Sequence, residues 1–128
     1  MVLIKIISFI IYLSTALIAD IKVINNSGSN KSSYIKTLKG EKKIFASTRD
    51  FGSSLSSRLY ENAERKKLVL YILGKRIKVS AGTSFLIIDD NPYQMIDAVQ
   101  EYNGDLYVPA ESFFDILRKV AIPGLRYD

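Results

Sequence analysis

The run from Lys67 to Leu73 constrains the fold more than any other part of the chain. Extended, it is apolar on both faces, with Leu68, Leu70 and Ile72 opposite Val69, Tyr71 and Leu73. Alternate side chains of a strand point to opposite faces, so this run wants cover on each side, or a helix on one side and a partner on the other. That demands a layered fold built on a sheet. Turn residues bracket the run. Gly74-Lys75 suits a two-residue turn with glycine first, which sends Arg76 to Ser80 back with Ile77 and Val79 pointing inward. Ala81-Gly82-Thr83 turns the chain into Ser84 to Ile88, the most apolar strand candidate, and Asp89-Asp90-Asn91-Pro92 stops it. Tyr93 to Tyr102 reads as a longer strand region. Asn103-Gly104 is the strongest turn signal and leads into Leu106-Tyr107-Val108.

Helical spacing occurs twice. Ser47-Thr48-Arg49-Asp50 resembles a capping box, with the Asp50 carboxylate reaching back toward the cap where glutamate is commoner. The helix it opens runs to about Leu55. Pro109 ends a strand and opens a second, longer helix from Ala110 to about Val120, striped by Phe113, Ile116, Leu117 and Val120. Ile44-Phe45-Ala46 followed by Phe51 and Leu55 matches Leu106-Tyr107-Val108 followed by Phe113 and Leu117, position for position and without a gap. The echo predicts two similar strand–helix units sharing one sheet.

Tyr34–Leu38 and Lys43–Ala46 flank Gly40 as a hairpin, and Ile21–Ile24 suits a short first strand. Asn25–Ser33 reads as a flexible polar loop, and Tyr60–Arg65 as a polar turn. The expected fold is α+β, a mixed, mainly antiparallel sheet of five or more strands with two helices packed on one face. Its expected extent is 34–122, after a flexible polar segment 20–33 and before a tail 123–128.

Met1 to Ala19 has one positive charge, Lys5, then an apolar stretch with mild interruptions, then small residues. This is the pattern of a secretory signal peptide, with cleavage after Ala19 or, alternatively, after Ala16. The apolar run is short for a membrane span, and no basic cluster follows it; an uncleaved membrane anchor is the alternative. The chain is therefore expected to be exported, to the periplasm, the cell envelope or beyond.

Composition narrows the chemistry. The chain has no cysteine and no histidine. Disulfides, a thiol nucleophile, an amino-terminal lipidated cysteine and every catalytic pair that uses imidazole are excluded. Of 18 basic residues Lys5 alone lies before residue 20, so loss of 1–19 leaves 17 against 13 acidic, a net charge of +4. The basic residues are scattered and interrupted by acidic ones, unlike the dense stripe of a nucleic-acid protein. An anionic polymer such as cell-wall material, or a membrane surface, suits a mild positive charge better.

Several segments resemble the copper amine oxidase-like N-terminal domain: Ile44 to Phe51, Lys67 to Leu73, Gly82-Thr83-Ser84-Phe85, and Gly104-Asp105-Leu106-Tyr107-Val108-Pro109 running on into Ser112-Phe113-Phe114-Asp115-Ile116-Leu117. The likeness spans about residues 33 to 120, and its motifs are structural rather than chemical. It implies an α+β accessory domain of the kind that often precedes an N-acetylmuramoyl-L-alanine amidase in exported wall enzymes, with neither copper nor quinone. An envelope location and an accessory role are thus expected.

Candidate chemistry is sparse. Asp89-Asp90-Asn91 offers oxygen ligands but lacks the alternating pattern of a calcium loop, and a solvated turn explains it. Glu61, Glu64, Glu101, Asp105 and Glu111 contain possible carboxylate pairs for glycoside cleavage, but they fall in turns and at a helix start. No catalytic residue, cofactor or metal is expected. The expected ligand face consists of Tyr60, Tyr93 and Tyr102 near turns, with Arg65, Lys66 and Lys67 supplying charge. The expected function is a non-catalytic module that binds wall polymer, peptidoglycan included, or positions a wall amidase. The alternative is a protein–protein adaptor or self-associating module that uses a sheet edge, for which the uncharged Ser84–Ile88 is suited if it lies at one.

Overall fold

The structure, a computed structural model, describes residues 18–25, 31–39, 43–56 and 58–127. The fold is α+β. Its elements in chain order are β1 (Ile18–Asn25), β2 (Lys31–Lys39), β3 (Ile44–Ser47), α1 (Thr48–Leu55), β4 (Arg58–Asn62), β5 (Lys67–Ile72), β6 (Lys75–Ser80), β7 (Phe85–Ile88), β8 (Asn91–Gln94), β9 (Gln100–Tyr102), β10 (Asp105–Pro109), α2 (Ala110–Val120) and β11 (Leu125–Tyr127). The strands form two sheets instead of the expected one, ordered β11-β1-β2-β3-β10-β9 and β4-β5-β6-β7-β8. Every described pairing is antiparallel.

The echoed units do share a sheet. β3 and β10 lie side by side with Tyr107 opposite Ser47, Val108 opposite Ala46 and Pro109 opposite Phe45. A shift of 62 positions, which carries Ile44 to Leu106, maps this register onto itself. The same shift carries Lys39↔Ile44 and Leu38↔Phe45 onto Glu101↔Leu106 and Gln100↔Tyr107. A hairpin followed by a helix therefore occurs twice, related by a pseudo-twofold axis between Ala46 and Val108. Such an axis sets both helices on one face of the six-stranded sheet, and there Phe51 meets Phe113 edge-on, with centroids 5.4 Å apart. The five-stranded sheet is the chain between the two units. One hydrophobic cluster joins both sheets and both helices, including Ile35, Phe51, Leu70, Ile77, Leu86, Phe113 and Leu117.

Gly52 lets the second sheet approach. A Cβ there would lie 2.8 Å from Leu59 Cδ1 and 2.9 Å from Leu70 Cδ2. Its equivalent under the 62-position shift is Phe114, whose ring packs 4.7 Å from that of Tyr127 in β11. One repeat fills the position with its own phenyl ring; the other leaves it empty, and leucines of the five-stranded sheet enter.

The cap of α1 is only half as expected. Ser47 Oγ accepts from the Asp50 amide at 3.1 Å, but the Asp50 carboxylate turns away and accepts from the Lys36 amide at 3.0 Å. Its part is taken from β10: Asp105 accepts from the Ser47 hydroxyl, from the Leu106 amide at 2.7 Å and from the Arg49 amide at 3.3 Å. A carboxylate beside the first amides of a helix satisfies orphan donors and meets the positive end of the dipole. Asp105→Ala leaves those donors unpaired in a buried site. Loss of about 2–3 kcal/mol is expected, read as a lower urea midpoint at unchanged slope.

Several boundaries shift. The short strand expected at Ile21–Ile24 is present but runs from Ile18 to Asn25, and residues 31–33, expected as flexible loop, are strand too, because β1 pairs with β2 along its whole length from Ile18↔Leu38 to Asn25↔Lys31. Backbone pairing does not need apolar side chains, which is why the polar Lys31-Ser32-Ser33 belongs to the sheet. The fold likewise extends past 122, since β11 pairs with β1. Tyr60–Asn62, read as turn, belongs to β4. The β5–β6 turn is Leu73-Gly74, one residue earlier than expected, with both residues at positive φ. Asp89-Asp90 also have positive φ and form a two-residue hairpin turn between Ile88 and Asn91. Ser84–Ile88 contributes β7, which lies between β6 and β8 and not at an edge. The expected leader, residues 1–19, falls almost wholly outside the described residues. Among those described, no helix is long and apolar enough to cross a membrane.

Candidate binding face

Antiparallel pairing fixes which side chains share the outer face of the five-stranded sheet. Leu68, Leu70, Ile72, Ile77, Val79, Leu86 and Ile88 are buried on its inner face. Their neighbours therefore point out, in three rows across the strands. The first row runs Arg58, Tyr71, Arg76; the second Tyr60, Val69, Lys78, Ile87, Pro92; the third begins Asn62, Lys67, Ser80. Phe85, opposite Gln94, extends the outer face on β7 and is 46% exposed. Val69, Tyr71 and Ile87 are half-buried. The second apolar face of Lys67–Leu73 thus has no layer over it among the described residues.

The strands contribute Arg58, Lys67, Arg76 and Lys78 to this face and no acidic residue. Arg58 stands over two rings, 4.8 Å from the Tyr71 centroid and 5.8 Å from that of Tyr60. The two rings meet edge to face at 6.0 Å and 84°. Arg76 is paired with Asp90 of the adjoining turn. Asp89 accepts from the Arg76 amide at 2.9 Å; that bond, helped by Lys75, holds its carboxyl below the usual range. Lys67 and Lys78 have no acidic partner among the described residues.

The six residues singled out in the sequence do not form one surface. Tyr60 and Lys67 are on the outer face. Tyr93 lies opposite Leu86 and packs against the core, so its ring is on the inner face of the same sheet. Tyr102 belongs to the six-stranded sheet, edge-on to Tyr107 at 6.2 Å. Arg65 is in the exposed β4–β5 turn, its amide donating to Asn62 Oδ1. Lys66 turns into a cleft, 3.5 Å from Glu101. Tyr60 and Tyr93 are on opposite edge strands, four spacings or about 19 Å apart along the sheet. Sequence reading missed Arg58, Tyr71, Lys78 and Phe85 as members of this face. The inward assignment of Ile77 and Val79 already implied an outward Lys78; the unrecognised β4 hid Arg58.

The cleft, of about 240 Å3, lies between the β4–β5 and β9–β10 hairpins and brings Glu61, Glu101 and Asp105 together. Glu61 is held by Arg49, Nε to Oε1 at 2.6 Å, and the same guanidinium donates to the Gly104 carbonyl at 2.6 Å. Glu101 is paired with Lys66, and Asp105 caps α1. Each carboxylate is engaged in tying one hairpin to the other or to the helix. Glu64, in the exposed β4–β5 turn, and Glu111, at the start of α2, do not line the cleft.

No family model, curated protein or solved structure matches the chain. The outer face is accordingly weighed on its own chemistry.

Buried phenols give the fold a pH limit. Burial pushes the Tyr107 hydroxyl above its ordinary value, with Asp105 adding to the effect, and does the same to Tyr127 beside Glu111. A raised folded value stabilises at any pH below the unfolded value, near 10, and that contribution is lost as pH rises through the folded value. Thermal midpoints are expected to fall more steeply above about pH 10 in the native chain than in Tyr107→Phe/Tyr127→Phe. Parallel curves for the two proteins would count against this.

Proposed function

We propose that the chain is an exported, non-catalytic accessory module that binds cell-wall polymer or positions a wall hydrolase of the N-acetylmuramoyl-L-alanine amidase type. The observation that carries the reading is the outer face of the five-stranded sheet, an open, basic and partly aromatic surface with no layer over it among the described residues. A flat face of this kind suits an extended polymer better than a small molecule, which a concave pocket would enclose. The leader-like pattern of residues 1–19 and the family resemblance point to the envelope as the place where such a polymer is met. Co-sedimentation of the purified chain with isolated cell walls tests the proposal. Retention on walls is expected, together with no release of soluble fragments. A chain left in the supernatant at every wall concentration, or one that solubilises walls, would sink it.

A further inference from the structure

We infer that the occupant of the outer face is a polyanion of the wall, a polymer carrying a phosphate or carboxylate in each repeat, and that Arg58, Lys67 and Lys78 are the residues that hold it. The inference rests on the wall-binding reading and names the ligand class for that face. Lys67 and Lys78 stand diagonally across the β5–β6 pair, about 7–8 Å apart, and Lys78 and Arg76 are two residues apart on one strand, about 7 Å. Cations so spaced, with no strand carboxylate between them, meet successive charges of an extended chain. The charge of Arg76 is shared with Asp90, so the free positive charge is concentrated on Arg58, Lys67 and Lys78.

The aromatic geometry separates this ligand from a nucleic acid. Bases are bound by parallel stacking on open ring faces. Here the Tyr60 and Tyr71 rings are edge to face, and Arg58 covers a face of each. What remains exposed is the rest of Tyr60 and, in the next row and three strands away, Phe85, which suits the C–H faces of sugar or polyol units between charged groups.

The test compares walls before and after extraction of their anionic polymers, with polyglycerol phosphate, polygalacturonate and poly(rU) as competitors. Retention is expected to fall at least tenfold on extracted walls, and Lys67→Glu/Lys78→Glu to weaken binding to intact walls by a similar factor with an unchanged circular dichroism spectrum. Binding should also decline as salt is raised, since exposed charges are screened within about 10 Å at 0.1 M. Competition by polyglycerol phosphate assigns the site to phosphate, and by polygalacturonate to carboxylate; either supports the inference. Equal retention on intact and extracted walls would overturn it while leaving the wall-binding reading in force. Stronger competition by poly(rU) than by both other polymers would overturn it too. Retention on neither wall preparation would remove both.

Discussion

Phe51→Ala is expected to lower stability by about 3–5 kcal/mol, enough to leave a domain of this size largely unfolded near physiological temperature. Phe51 is fully buried at the pseudo-twofold axis, edge-on to Phe113 and tilted against Phe114 at 5.9 Å. Removing the ring opens a cavity where both repeats and both helices meet, and rigid sheets on either side limit how far the site can collapse. Phe113→Ala should cost a similar amount, because Phe113 is equally buried and meets both Phe51 and Phe114 with centroids 5.4 Å apart. Since the rings touch, the two losses should not add: a coupling of about 0.5–1.5 kcal/mol is expected in a double-mutant cycle. Urea denaturation followed by far-ultraviolet circular dichroism measures all three variants. Strict additivity, or a loss below about 1 kcal/mol for either single change, would mean that the axis does not organise the core.

The repeat itself was legible in the sequence because it is written in apolar spacing. Strand apolars at 44–46 and helix apolars at 51 and 55 recur at 106–108, 113 and 117, and burial acts on that spacing directly. The β5–β6 hairpin was legible for the same reason. What escaped was governed by something other than side-chain polarity. β4 is an edge strand with one half-buried residue, Leu59, between polar neighbours, so its alternation carries almost no signal. β1 and β2 are held by backbone pairing through a stretch as polar as any loop. Leu73 at φ 49° is a residue that local sterics disfavour there; the pairing of Ile72 with Lys75 holds it in the turn. The ligand face suffered most, because facing depends on register. Once Asp89-Asp90 is a two-residue turn and not a stop, Ile87 pairs with Pro92 and Tyr93 falls on the inner side. The close approach of the five-stranded sheet to α1 was invisible because it passes over Gly52, a residue without a side chain.

That residue gives the second large expectation: Gly52→Phe should detach the five-stranded sheet from the rest of the fold. The substitution makes the first repeat like the second, where phenylalanine occupies the equivalent position 114. On helix propensity alone it is favourable, since glycine is the poorest ordinary helix former. Space decides otherwise. Even a Cβ would press on Leu59 and Leu70 at 2.8 and 2.9 Å, and Leu70 is fully buried in a close-packed core. Gly52→Ala therefore sets about 1 kcal/mol of propensity gain against about 1–3 kcal/mol of overpacking, and should come out mildly destabilising. A whole phenyl ring cannot be absorbed by side-chain adjustment and must displace Leu59, Leu70 and the sheet that carries them. The expected signature is loss of amide protection across β4–β8, while β2, β3 and β10 keep theirs if the repeats hold together alone, or global unfolding if they do not. Hydrogen exchange distinguishes the two. Native protection throughout, at native stability, would show that the approach of the sheets does not depend on the missing side chain.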